Sequence, residues 1–191
     1  KIGVRWAPHE KVNFGLTISK IFIIESRWDS MSQIKERNSS DLVYSKNDSK
    51  VQRSTPFELG IGMALLPFSD TIFTFDVNLY TDPGINEFAP YGYDSVLNFS
   101  FAVEYAINKK NVVRLGYFTN NTAAPMPNDN TKGLEHIDMW GISTGYSIHN
   151  ESTSFTVGMV YSKGAGTAQI YDNSSRIVNL NRYSLTGLLS T

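Results

Sequence analysis

The chain has 191 residues, with 17 Lys and Arg against 18 Asp and Glu, a formal net charge of −1 and no cysteine. This balance gives no electrostatic reason to expect a nucleic-acid partner, and the lack of cysteine excludes disulfides, thiolate catalysis and zinc–thiolate sites. The longest aliphatic run, 21–24, is far short of the about 20 apolar residues of a membrane helix. A helical membrane protein is therefore excluded, whereas a membrane barrel is not, because half of each barrel strand faces the lumen.

Alternation of apolar and polar residues predicts antiparallel hairpins along most of the chain. The predicted strand pairs are 2–6 with 14–18, 57–65 with 73–79, 97–105 with 113–117, and 140–148 with 155–161. In each pair the apolar residues face apolar residues, so the register is self-consistent. A ninth strand is predicted at 183–189. In the third hairpin Glu104 falls opposite Arg114 on the polar face, an arrangement that suits a lumen.

Long polar connections separate the hairpins, and short turns join the two strands within each. The long connections are predicted at 29–55, 81–94, 120–135 and 163–181. Ser, Asn, Asp, Gly, Pro and Lys dominate them, which is typical of loops. Within the first, 30–35 is predicted to form a helical turn. All four would lie on one rim of a barrel, the extracellular one, with the short turns on the periplasmic side.

These features predict an all-β fold, an antiparallel transmembrane up-and-down β-barrel, with residues 1–191 forming one domain. Bacterial single-chain barrels have even strand counts, so we expect the nine strands to be a fragment that lacks the first strands. Aromatic residues near the strand ends suit lipid–water interfaces, although aromatics are enriched in strands generally. A soluble β-sandwich is the alternative, since alternating strands with turn signals also fit that class.

One segment carries a family resemblance. Its matching residues are Pro56, Leu59, Gly60, Gly62, Pro67, Asp76 and Tyr80. This pattern resembles the FadL-type outer-membrane transport proteins (OMPP1/FadL/TodX-like), which take up long-chain fatty acids and other hydrophobic compounds, and 113–120 and 139–148 are similar to later strands of that family. The resemblance implies the C-terminal nine of about fourteen strands, without the N-terminal plug that carries part of the family's ligand site.

Two groups of residues are candidates for the transport path. The predicted lumen-facing residues are Glu58, Asp76, Asn78, Glu104 and Arg114. Arg114 can anchor a carboxylate or pair structurally with Glu104. The predicted apolar capture residues of the loops are Phe88, Tyr91, Tyr93 and Met126. Alternatively, these four pack the loops against one another.

No enzymatic activity, metal or cofactor is expected. His9, His136 and His149 are predicted at separate turns and strand ends, so no two would share a metal. The expected location is the bacterial outer membrane, with outer-membrane lipid and a hydrophobic small molecule as partners. A structural barrel whose extracellular loops bind another protein in a complex is the alternative function.

Overall fold

The computed structural model describes residues 1–20, 26–35, 42–51, 55–84, 92–128, 135–150, 152–169 and 177–190, with 26–35 and 42–51 described for their backbone. Across these ranges the regular structure is entirely β. The strands are β1 (Ile2–His9), β2 (Val12–Lys20), β3 (Ser26–Lys35), β4 (Leu42–Val51), β5 (Phe57–Phe68), β6 (Thr71–Tyr80), β7 (Val96–Ala106), β8 (Asn111–Asn120), β9 (Glu135–His149), β10 (Ser154–Gln169) and β11 (Ile177–Ser190). None of the described segments is a helix able to cross a bilayer.

Nine of these strands form one antiparallel sheet in the order β1-β2-β5-β6-β7-β8-β9-β10-β11. These are the nine strands that alternation predicts, in the predicted order. The register is also as predicted: Val4 pairs with Leu16, and Met63 with Phe75. Alternation determines the register here because a slip of one residue would move every apolar side chain to the opposite face.

The segment between β2 and β5 corrects two predictions. Residues 29–55 were predicted to be a loop and 30–35 a helical turn, but β3 and β4 pair antiparallel over ten residue pairs as a separate two-stranded sheet. The composition of this segment is polar, and its strands lack the clear alternation seen elsewhere. Cross-strand pairing satisfies the backbone groups regardless of this composition, because β-propensity depends strongly on context.

The connection predicted at 163–181 is also wrong at both ends, since β10 continues to Gln169 and β11 begins at Ile177. Glycines suggested a loop, yet they mark close contacts within the sheet. A Cβ on Gly164 would lie 2.6 Å from Met139 Cγ, and one on Gly166 would lie 1.8 Å from the His136 carbonyl oxygen. The glycines therefore permit the strand to continue instead of ending it.

All short turns lie at one end of the nine-stranded sheet and all long connections at the other. Hydrogen bonds join neighbouring turns: the Leu66 N–H donates to the Lys11 carbonyl at 2.8 Å, and the His149 N–H to the Lys110 carbonyl at 2.7 Å. The turn end is thus a continuous hydrogen-bonded edge. Within the described chain no pairing joins β1 to β11, so the sheet is open.

The sheet has almost no buried apolar core. The buried apolar residues of the described chain are Val96, Val112, Ile137 and Ala168. The accessible surface is 13848 Å², against about 9,100 Å² for a soluble monomer of 21.4 kDa. The apolar side chains that would form the core of a soluble protein are instead exposed on one face.

Candidate functional site

One face of the nine-stranded sheet is apolar across its whole width. A single row of paired residues crosses all nine strands, one residue from each: Trp6, Phe14, Met63, Phe75, Phe101, Tyr117, Ile142, Tyr161 and Leu185. Six of these side chains are exposed. Exposed apolar patches on soluble monomers seldom exceed a few hundred Å², so a surface this wide needs an apolar covering.

Aromatic rings on the apolar face contact one another across the four adjacent strands β7 to β10. Tyr117 lies 5.8 Å from Phe99 and 6.3 Å from Trp140, and Trp140 contacts Tyr161 edge-on at 6.4 Å between ring centroids. Next in line, the Lys163 ammonium lies 5.6 Å from the centroid of the Tyr183 ring. These side chains combine apolar bodies with polar tips, so the apolar face carries an amphipathic aromatic cluster.

The opposite face is small and polar. The row beside the apolar one runs Arg5, Gly15, Gly62, Asp76, Ser100, Phe118, Gly141, Ser162 and Ser184. The five predicted lumen-facing residues, Glu58, Asp76, Asn78, Glu104 and Arg114, all lie on this face. The structure thus places them together on one surface; that this surface lines a lumen stays a prediction.

Glu104 and Arg114 form the ion pair that their spacing predicts. Arg114 Nε donates to Glu104 Oε2 at 2.6 Å, and Arg114 Nη1 donates to Ser147 Oγ at 2.5 Å. Ser147 is fully buried and lies 2.8 Å from Thr156 Oγ1. The cluster links four adjacent strands, β7 to β10, near the turn end. Because Glu104 and Ser147 both engage the guanidinium, the arrangement favours the structural role for Arg114 over that of a ligand anchor.

The polar face carries two further polar groups, the Arg5–Asn13 pair and Asp76, with glycines between them. Arg5 donates from Nε and Nη2 to Asn13 Oδ1, at 3.3 and 2.7 Å. Three strands away Asp76 lies over Gly62, where a Cβ would be 2.5 Å from its Oδ1. Between them Gly15 has no atom within 4 Å of an added Cβ, which leaves a shallow depression in the sheet surface.

At the loop end of the sheet a cavity of 380 Å³ lies over β5 to β8. We call it the rim cavity, and its lining residues are Pro56, Tyr80, Thr81, Pro83, Tyr93, Val96, Asn98, Asn120, Asn121 and Ala123. Its volume is at the low end of the about 300–1,000 Å³ of small-molecule sites, and its mostly apolar lining with a few polar groups matches such sites.

Specific hydrogen bonds hold the loop that forms one wall of the rim cavity. Asn121 donates from its backbone N–H to Asn98 Oδ1 at 2.7 Å and from Nδ2 to the Leu97 carbonyl at 2.9 Å. The Asp94 N–H donates to the Ala123 carbonyl at 2.9 Å. Thus the loop after β8 is joined to the segment entering β7, and the cavity wall is ordered.

The same loop is also fastened to β9. The Thr122 N–H donates to Asp138 Oδ1 at 2.9 Å, and His136 Nδ1 donates to the Ala124 carbonyl at 2.5 Å. His136 Nε2 also lies 3.7 Å from Asp138 Oδ2. These contacts give His136 a structural role. Among the described residues, no three metal-ligating side chains lie close together.

The predicted capture residues separate into three cases. Tyr93 lines the rim cavity and is 38% exposed. Met126 is exposed outside the cavity, with its sulfur 4.0 Å from Thr167 Oγ1. Phe88 and Tyr91 lie outside the described residues. The prediction missed Asn121, whose role comes from its hydrogen bonds across strands; the Asn120-Asn121 pair at the end of β8 was the available signal.

The fold and this site define an all-β protein with one apolar and one polar sheet face. No protein-family model matches the chain, and no curated protein matches it significantly. The FadL-type resemblance therefore stays a prediction.

Proposed function

We propose that this chain forms part of a bacterial outer-membrane β-barrel of the FadL type that admits hydrophobic small molecules, with outer-membrane lipid covering its apolar face. The observation that carries the proposal is the unbroken apolar row from Trp6 to Leu185. Lipid is a covering of the right chemistry and width, because alternating strands with one apolar and one polar face characterise membrane barrels.

The aromatic residues of the apolar face support the same proposal. The lipid-facing surface of a barrel includes aromatic residues, and the rings of Phe99, Tyr117, Trp140 and Tyr161 contact one another across β7 to β10 on this face. Nearer the turns, Phe68 and Tyr105 are exposed.

Strand direction supports a barrel of more than nine strands. In an antiparallel sheet of nine strands the two edge strands, β1 and β11, run in the same direction. Direct closure would pair them in parallel, which an up-and-down barrel avoids. In a barrel of about fourteen strands, five more strands lie between β11 and β1. Because five is an odd number, every pairing is then antiparallel.

The two faces suggest how a solute would pass. The polar face, with its Glu104–Arg114 pair, suits a hydrated or plugged lumen better than a continuous apolar tube. A hydrophobic molecule would therefore need an apolar site at the entrance. The rim cavity is such a site, because it lies among the long connections that the proposal places outside the cell.

The test is a heat-modifiability gel on the protein extracted from bacterial membranes. A closed barrel resists detergent, so the unboiled form is expected to migrate faster than the boiled form. A matched sample carrying Ile142→Arg, which places a charge on the apolar face, is expected to reduce the fast form. Equal migration of boiled and unboiled protein, with the chain in the soluble fraction, would reject the proposal.

A further inference from the structure

We propose that the rim cavity binds a neutral, ring-sized molecule that carries a hydroxyl or amide group. As a statement about the transported solute this rests on the proposed function. As a statement about binding it rests only on the cavity. The cavity favours such neutral ligands over ionised ones, including a fatty-acid carboxylate.

The lining of the rim cavity contains no ionisable group other than the tyrosine hydroxyls. Two tyrosine rings, two prolines, Val96 and Ala123 supply apolar contact area. Rings of this kind favour a flat, apolar ligand through stacking and edge contacts. The cavity volume of 380 Å³ exceeds the about 150 Å³ of a cavity that binds benzene, so a substituted ring fits.

Several hydrogen-bonding groups of the rim cavity remain available to a ligand. Asn98 Oδ1 accepts from the Asn121 backbone and from Thr119 Oγ1, which leaves the two N–H groups of Asn98 Nδ2 without a described partner. The Asn120 amide and the Tyr93 hydroxyl likewise have no partner within the described chain. Neutral donors and acceptors of this kind recognise hydroxyls and amides without the desolvation cost of a charge.

Three acidic residues lie next to lining residues of the rim cavity. Glu58 lies directly opposite Tyr80, a lining residue, and Asp82 and Asp94 flank other lining residues. These groups are acidic, so they repel a carboxylate. Asp82 and Asp94 are exposed, so solvent screens their effect on a charged ligand of either sign, and neither ion would recover in a mostly apolar cavity the hydration that it loses. A neutral ligand is neither repelled by the acidic groups nor penalised by the loss of an ion's hydration.

The wall of the rim cavity is already ordered. Five hydrogen bonds hold 121–124 to β7, to β9 and to the segment before β7. A preformed wall reduces the conformational entropy lost on binding. Modest contacts then suffice for measurable affinity.

The experiment compares three probes of one size: benzamide, benzoate and benzylammonium, which at pH 7 are neutral, anionic and cationic. Binding to the complete chain folded in detergent is measured by ligand-detected NMR, with protein-free micelles as the blank. Benzamide is expected to bind at least about fivefold more tightly than either ion. Tighter binding of benzoate or of benzylammonium would overturn the proposal.

Variants at Tyr93 and Met126 test whether benzamide binds in the rim cavity. Tyr93→Ala removes one aromatic wall and is expected to weaken benzamide binding by about threefold to tenfold, and Tyr93→Phe, which removes only the hydroxyl, by less. Met126→Ala is the matched control, because Met126 is an exposed residue of the same end that lies outside the cavity. Equal effects of Tyr93→Ala and Met126→Ala would contradict the assignment.

The two proposals fail in different measurements. Failure of the barrel appears as unchanged gel mobility whatever the ligands do. Failure of the cavity proposal appears as absent or charge-preferring binding by a chain that is heat-modifiable. Folding of each variant is checked by the same mobility shift.

Discussion

The phenyl ring of Phe118 lies directly over Gly141 on the neighbouring strand. A Cβ built on Gly141 would be 2.3 Å from Phe118 Cζ and 2.8 Å from the Tyr161 carbonyl oxygen. The two residues pair between β8 and β9 on the polar face. Phe118 is the one large apolar residue in its row, and glycine opposite it supplies the space for the ring, an arrangement known from aromatic–glycine pairs in designed sheets.

Replacing Gly141 with alanine is expected to destabilise the protein by about 1–3 kcal/mol, because the added methyl overpacks the site against both a ring and a backbone oxygen. The measurement is urea unfolding in lipid vesicles. Gly145→Ala is the control on the same strand and face, where the nearest atoms to an added Cβ are 3.8 Å away. A Gly141→Ala protein as stable as the Gly145→Ala protein would contradict this packing.

Gly166→Ala is expected to separate the loop ends of β9 and β10. An added Cβ would lie 1.8 Å from the His136 carbonyl oxygen, and a backbone atom cannot move aside as a side chain can. Hydrogen exchange at the amides of 135–138 and 165–168 should accelerate, with exchange at 156–160 unchanged. Gly187→Ala, where no atom lies within 4 Å, should leave both regions as they are.

The Glu104–Arg114 pair is expected to make a modest contribution to the free energy of unfolding. Its side chains are 35% and 41% exposed, so solvent screens the attraction, and a double-mutant cycle of Glu104→Gln with Arg114→Met should give a coupling of about 0.5–1 kcal/mol. Higher salt should reduce this coupling. A coupling that salt leaves unchanged would indicate that the pair acts through hydrogen-bond geometry alone.

Placing an arginine on one sheet face or on the other distinguishes a membrane protein from a soluble protein. Ile142 is 50% exposed on the apolar face, and Ser143 follows it on the polar face. In a bilayer Ile142→Arg should cost about 2–4 kcal/mol while Ser143→Arg costs much less. Refolding yield into vesicles and urea unfolding measure the difference. In a soluble protein an exposed Ile142→Arg would be close to neutral, and that outcome would oppose the membrane proposal.

The amino-acid sequence by itself determined the nine-stranded sheet, its order and its register. Strict alternation, as in 57–65 and 73–79, leaves one pairing that keeps apolar residues on a single face. Glu104 opposite Arg114 followed from the same register. The register within each hairpin is local, since it depends on residues joined by a short turn, and the same alternation keeps the apolar residues on one face where neighbouring hairpins pair.

Only the tertiary structure decided the β3–β4 hairpin, the extension of β10 and the rim cavity. These features depend on contacts between distant parts of the chain. The β3–β4 hairpin forms from a polar segment that pattern alone assigned to a loop. Gly164 and Gly166 extend β10 because Met139 and His136 lie against them. The rim cavity exists because Asn98 holds the loop at Asn121 across 23 residues of chain. A periodic pattern specifies which face a side chain takes, whereas close approach and loop closure depend on three-dimensional packing.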